Sequence, residues 1–209
     1  NLLEENLILV EAPQEQCRLY HRLGALSYPE MGQPTKALQC YKQALALEVL
    51  KDQTIQHLKR LLEAEVEPEQ KQSFQSEIVE LLGKHLAPEK DARGVIQLML
   101  VRLQYSDVKE TRADLQYQIG KLYEQRIVDI PTALEYYAKA FDEVPTHPDY
   151  WKAMDRLSRS LSQWDALVHQ IDRVLERELP KELLVVVLKR GIQILMEQMN
   201  DDTRASQYL

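Results

Sequence analysis

Apolar residues recur along this chain at helical spacing and are interrupted at intervals by proline. Ile119, Leu122, Tyr123 and Ile127 follow the three-then-four step of one helix face, as do Leu167, Ile171, Val174 and Leu175. Prolines at 13, 29, 34, 68, 88, 131, 145, 148 and 180 divide the pattern. It predicts about twelve helices, near 1–11, 14–28, 34–50, 52–65, 69–86, 89–105, 109–127, 130–143, 147–161, 163–178, 180–199 and 201–209. Links of roughly two to five residues between such helices force antiparallel neighbours. Pro34 and Pro131 fall in first turns, where the missing N–H has no helical acceptor in any case. Pairing the helices from both ends leaves 52–65 without a mate, although it is similar to 164–178. Either 34–65 is one long helix, or a mate is absent and a segment near 48–52 is skipped.

The chain also repeats itself. "RLGALSYPEMGQPTKALQCYKQAL" (22–45) aligns with "QIGKLYEQRIVDIPTALEYYAKAF" (118–141), so that Gly24, Ala37, Tyr41 and Ala44 match Gly120, Ala133, Tyr137 and Ala140 at a single offset of 96 residues. The tail "GIQILMEQMNDDTRASQYL" (191–209) repeats the later half, with Asp201 and Ala205 standing 72 residues after Asp129 and Ala133. A helix pair approaches closely where one side chain is tiny, and a large one then fills the adjacent hollow. Stacked pairs bury a continuous core that no single pair could form alone.

These residues resemble the tetratricopeptide repeat, a helix–turn–helix unit of about 34 residues with the pattern W-x2-L-G-x2-Y, A-x3-F, P. The best copy supplies Ile119, Gly120, Tyr123, Ala133, Tyr137, Ala140 and Pro145. The first supplies Leu23, Gly24, Ala37, Tyr41 and Ala44, with Ser27 and Val49 in place of the tyrosine and proline. Both carry one extra residue between the glycine and the first alanine. The resemblance implies an all-α fold over 1–209, a right-handed superhelix of stacked antiparallel pairs. Its best repeats lie at about 17–50 and 113–146, with weaker units at 69–105, 147–178 and 180–209. It also implies a concave groove lined by the first helix of each unit. By position that groove comprises Arg18 and His21 in the first copy, and Asp114, Tyr117, Lys121 and Glu124 in the second. Chaperone-binding members of the family clamp a partner's terminal carboxylates with lysines and asparagines; here the matching places hold His21, Ala25, Tyr117 and Lys121, and Lys121 alone agrees.

Composition narrows the functional classes. A net charge of −7 and the lack of a basic stripe argue against direct contact with nucleic acid. The longest apolar run, "ELLVVVLKRGIQILM", is cut by Lys189 and Arg190, so membrane insertion is not expected. Cys17 and Cys40 form no CxxC pair and read as reduced, partly buried thiols. His21, His57, His85, His147 and His169 lack HxxxH or HExxH spacing, and no phosphate-binding, dinucleotide-binding or nucleophile-elbow motif occurs. No catalytic residue, metal or cofactor is therefore expected. His147 reads as a helix-start residue, Trp164 as a packing residue after an N-cap at Ser162, and Tyr136 stays unassigned. The chain begins at Asn1 within an apolar-periodic segment, as part of a longer array would. Leu2, Leu3, Leu7 and Leu9 could then support self-association of exposed end helices.

The expectation is a non-catalytic, intracellular and cytoplasmic scaffold that binds a protein or peptide through the groove. The alternatives are a regulatory or assembly segment of a larger enzyme or receptor, and a half-a-tetratricopeptide-like component of an RNA-processing complex.

Overall fold

The computed structural model describes residues 10–162, 164–176 and 180–209. The predicted helix at 1–11, and with it Leu2, Leu3, Leu7 and Leu9, falls almost wholly outside them. Among the described residues there are eleven α-helices and no strand, as an all-α repeat requires. The chain divides into two compact units, Asn1–Tyr105 and Ser106–Leu209.

The first unit contains α1 (Pro13–Ala25), α2 (Pro34–Ala46), α3 (Lys51–Leu61), α4 (Pro68–Gly83) and α5 (Ala92–Gln104). The second contains α6 (Lys109–Leu122), α7 (Ile130–Glu143), α8 (Pro148–Leu161), α9 (Trp164–Leu175), α10 (Lys181–Glu197) and α11 (Asp202–Ser206). Within each unit every helix packs on the next. Proline occupies the first turn of α1, α2, α4, α7 and α8, as Pro34 and Pro131 led one to expect.

Each unit has its own core. In the first, Leu38, Tyr41, Leu58, Ile78, Leu82 and Leu98 interlock. In the second, Ala133, Tyr137, Phe141, Tyr150, Met154, Leu167 and Ile171 do so, and Ile194 and Ala205 close the far end. Tyr41 and Tyr137 are 3% and 1% exposed, so each ring contributes about 2–3 kcal/mol by burial.

The repeat is visible in three places. An ideal Cβ on Gly24 would lie 2.5 Å from the ring of Tyr41, and one on Gly120 would lie 2.8 Å from that of Tyr137. Gly191 stands against Tyr208 in the same way. The turns between the paired helices share one closure as well. Gln33 N donates to Ser27 O (2.8 Å), Asp129 N to Tyr123 O (2.9 Å) and Asp201 N to Leu195 O (2.9 Å). Just before each donor stands a left-handed residue: Gly32 (φ 61°), Val128 (φ 62°) or Asn200 (φ 52°). This closure spans one residue more than the ordinary glycine-ended helix terminus. The extra residue seen in the sequence is taken up there, as a π-helical widening at Leu26–Glu30 and again at Tyr123–Ile127. The next helix then starts identically, with Ala37, Ala133 and Ala205 donating to the carbonyls of Gln33, Asp129 and Asp201.

Three expectations are corrected. The helix near 34–65 is not continuous, because Glu48 (φ 56°) and Leu50 (φ 50°) are left-handed and break it between α2 and α3. Nor does α3 lack a mate: it packs on α2 and α4, and its Lys59 bonds Asp91, the N-cap of α5, at 2.5 Å. By the 96-residue offset α3 corresponds to α8 and not to 164–178. Ser162, finally, does not cap α9. It ends α8 in the left-handed region (φ 55°), one residue too early to serve the following helix.

Candidate functional site

Residues of α6 and of the π-helical turn that follows it face residues of α8 and form a polar surface on the second unit. Asp114, Tyr117, Lys121 and Glu124 are spaced by three, four and three residues, so the helix aligns them. The helix α8 supplies the opposite edge. Tyr150 Oη donates to Asp114 Oδ1. Arg156 clasps Glu124 through two bonds of 2.6 and 2.9 Å. Beneath them Tyr137 Oη donates to Glu124 Oε2 at 2.8 Å.

Tyr117 sits at the centre. Its ring centroid lies 5.3 Å from that of Tyr137 and 5.1 Å from that of Tyr150, both tilted. Such tilted contacts match the edge of one ring to the face of another. Lys121 Nζ stands 5.8 Å from the Tyr117 centroid, within reach of the ring's negative face. Tyr117 remains half-buried. Burial, and after it the Asp149 carboxylate, raises its hydroxyl pKa. Burial and the bonds to Glu124 and Asp114 raise the Tyr137 and Tyr150 phenols likewise. The bond from Arg156, foremost, holds the Glu124 carboxyl below its ordinary value. The surface therefore presents one aromatic ring between fixed charges of both signs.

The first unit places its two candidates differently. Arg18 is exposed, but His21 is only 8% exposed and is not part of an open surface. The cause is α3, which covers it. His21 Nε2 lies 2.8 Å from Thr54 Oγ1 and 3.6 Å from Cys17 Sγ, and its ring lies 4.9 Å from that of His57. His57 in turn stacks on Tyr41 at 5.0 Å. Burial lowers the pKa of His21 and, first among its causes, that of His57 as well. It pushes the Tyr41 phenol up to about 12 and raises the Cys17 thiol. Cys17 is fully buried and faces the carbonyls of Ala44 and Val49, so its contact with His21 is a packing contact.

The remaining residues fall into place. His147 accepts from Asp149 N (3.4 Å) at the start of α8 and stacks on Tyr150 at 4.1 Å. Trp151 packs on Phe141, and Trp164 packs against the same core. Tyr136 stacks on Tyr123 at 5.6 Å, with Lys139 Nζ 4.6 Å from its ring. Cys17 and Cys40 are both buried thiols and form no disulfide with each other. Sequence reasoning missed Tyr150 and Arg156. The 96-residue offset could have found the first, since it carries Thr54, the partner of His21, onto Tyr150, the partner of Tyr117.

Among the described residues no group of three or more His, Cys, Asp or Glu side chains is arranged to hold a metal ion. No helix among them is long and apolar enough to cross a membrane. Comparison of the chain with family models and with curated proteins finds no match in either.

Proposed function

We propose that this chain is a tetratricopeptide-like, non-catalytic scaffold that binds a peptide or protein segment on the α6–α8 face. The observation that supports the reading is Tyr117, a half-buried ring braced by Tyr137 and Tyr150 beneath Lys121 and beside the Glu124–Arg156 pair. A braced ring loses little rotamer freedom on binding, and fixed charges of both signs set the register of an extended segment. Tyr117 is also a packing residue, so the surface is best tested through charge. A random peptide library displayed on phage is selected against the whole chain and against Lys121→Glu. Peptides that bind the wild type and the exterior control Glu80→Lys but lose the Lys121→Glu chain support the reading. Equal binding to all three chains places the binding surface elsewhere.

A further inference from the structure

In the pair α6–α7 the second helix closes over the whole of the first. The last turn of α7 reaches back to the first turn of α6, where Arg112 Nε donates to Glu143 Oε1 at 2.8 Å. Just inside that ion pair Ala113, Ala140 and Phe141 are all fully buried in one core. Tyr117, one turn further on, meets the ring of Tyr137. The pair α10–α11 is built on the same contact. Gly191 stands against Tyr208 as Gly120 stands against Tyr137, at an offset of 71 residues. That offset carries Ala113, Asp114 and Tyr117 onto Leu184, Val185 and Leu188.

On α10 these positions are apolar but not enclosed. Leu184 and Leu188 are half-buried, and Val185 and its neighbour Val186 are 48% and 53% exposed. Lys181 stands exposed in the first turn, in line with Val185 and Leu188. An apolar patch edged by a charge, on a helix whose counterpart is covered at the same place, is a seat for another helix.

The α6–α7 contact also defines what fits it. There α7 presents two apolar residues followed by two acids, Ala140-Phe141-Asp142-Glu143, and its last acid meets a cation in the first turn of α6. Residues 1–9 repeat that order as Leu2-Leu3-Glu4-Glu5, with Leu7, Ile8 and Leu9 continuing the apolar character. Glu4 and Glu5 match Lys181 in charge as Glu143 matches Arg112. The segment leads into Pro13, which opens α1, as α7 leads into Pro148, which opens α8. The join it makes therefore runs from the last helix pair of one chain to the first helix of another.

We infer that the first two turns of α10 bind residues 1–9 of a second copy of this chain, with Leu2 and Leu3 seated on Leu184, Val185 and Leu188 and with Glu4 and Glu5 facing Lys181. The contact is head to tail, so each copy offers both halves and the association is open-ended. It uses none of the residues of the α6–α8 face and does not rest on the binding proposed there.

Sedimentation equilibrium of the whole chain reads the association. From Lys181 to Leu188 the patch is only about 11 Å long, which places it among weak, transient contacts. The average mass of the wild-type chain is expected to rise with concentration up to about 1 mM and to pass that of a dimer. Leu3→Glu on one half and Val185→Glu on the other should each weaken association by about tenfold or more. Val185 is largely exposed, so its substitution does not disturb the core. The Leu3→Glu chain keeps its patch and the Val185→Glu chain keeps its segment. An equimolar mixture of the two should therefore form 1:1 dimers and nothing larger. A wild-type chain that stays monomeric throughout overturns the proposal. So does association that Leu3→Glu leaves unchanged, which assigns the contact to patch against patch, and so do two weakened variants that fail to complement each other. Lys121→Glu should associate as the wild type does, so the two proposals fail separately.

Discussion

Gly120 and Tyr137 occupy one packing space: a methyl group on the glycine would lie 2.8 Å from two ring carbons of the tyrosine and 3.2 Å from the carbonyl oxygen of Ala133. Tyr137 cannot retreat, because its ring is held between Tyr117 and the core and its hydroxyl is bonded to Glu124. In an exposed helix Gly→Ala gains about 1 kcal/mol. Here overpacking of about 1–3 kcal/mol outweighs that gain. Gly120→Ala should therefore lower the midpoint of urea unfolding. Gly191→Ala should be milder, since Tyr208 is half-buried and next to the last residue. A stabilised Gly120→Ala chain would mean that the glycine is not required for this contact.

The left-handed turn residue offers the opposite experiment. Val128 is 72% exposed at φ 62°, a conformation that costs a β-branched residue about 1–2 kcal/mol. The equivalent position in the first unit already holds Gly32. Val128→Gly should raise the thermal midpoint by relieving that cost, less about 0.5–1 kcal/mol for the greater freedom of glycine in the unfolded chain. Gly32→Val should lower it.

Helix caps differ between the copies. Asp129 accepts from Thr132 N at 3.2 Å and Asp201 from Arg204 N at 3.0 Å, whereas Gln33 makes no side-chain cap. Asp129→Ala should cost about 1 kcal/mol. Gln33→Asp should recover a similar amount in the first unit, readable as slower hydrogen exchange along α2.

The His21–His57 contact makes the first unit sensitive to acid. Both pKa values are lowered in the folded state, so the unfolded chain binds more protons in the window below the ordinary value of about 6.5. Stability should thus be full above that pH and fall as pH drops through the folded values. The surroundings offer little relief, since Arg60 adds positive charge near His57, and Tyr41 and Cys17 are held neutral. Urea midpoints at pH 7.5 and 5.0 should differ more for the wild-type chain than for His57→Gln. An identical acid loss in both would remove the pair as the cause.

Helix number, the proline starts and the Gly–Ala–Tyr packing set were legible because each depends on local spacing, which the chain carries with it. Ala133, Tyr137 and Ala140 share one face whatever lies opposite, and the repeat at Ala37, Tyr41 and Ala44 showed that the same hollow is filled twice. The longer turn was visible as a count of residues. Its form, a six-residue closure through Gly32, Val128 and Asn200, was not.

The candidate site was legible only in part. Asp114, Tyr117, Lys121 and Glu124 follow from one helix, so their alignment needs no tertiary information. Tyr150 and Arg156 come from α8, about one repeat later, and join only because α8 packs beside α6. The same cause separates His21 from Arg18: both lie on α1, but α3 brings Thr54 and His57 over the histidine and leaves the arginine in water. Tyr136 finds Tyr123 across the turn. Periodicity by itself determined which residues share a helix face. Only the packing of one helix against the next decided which face is covered, and so which polar groups remain available to bind.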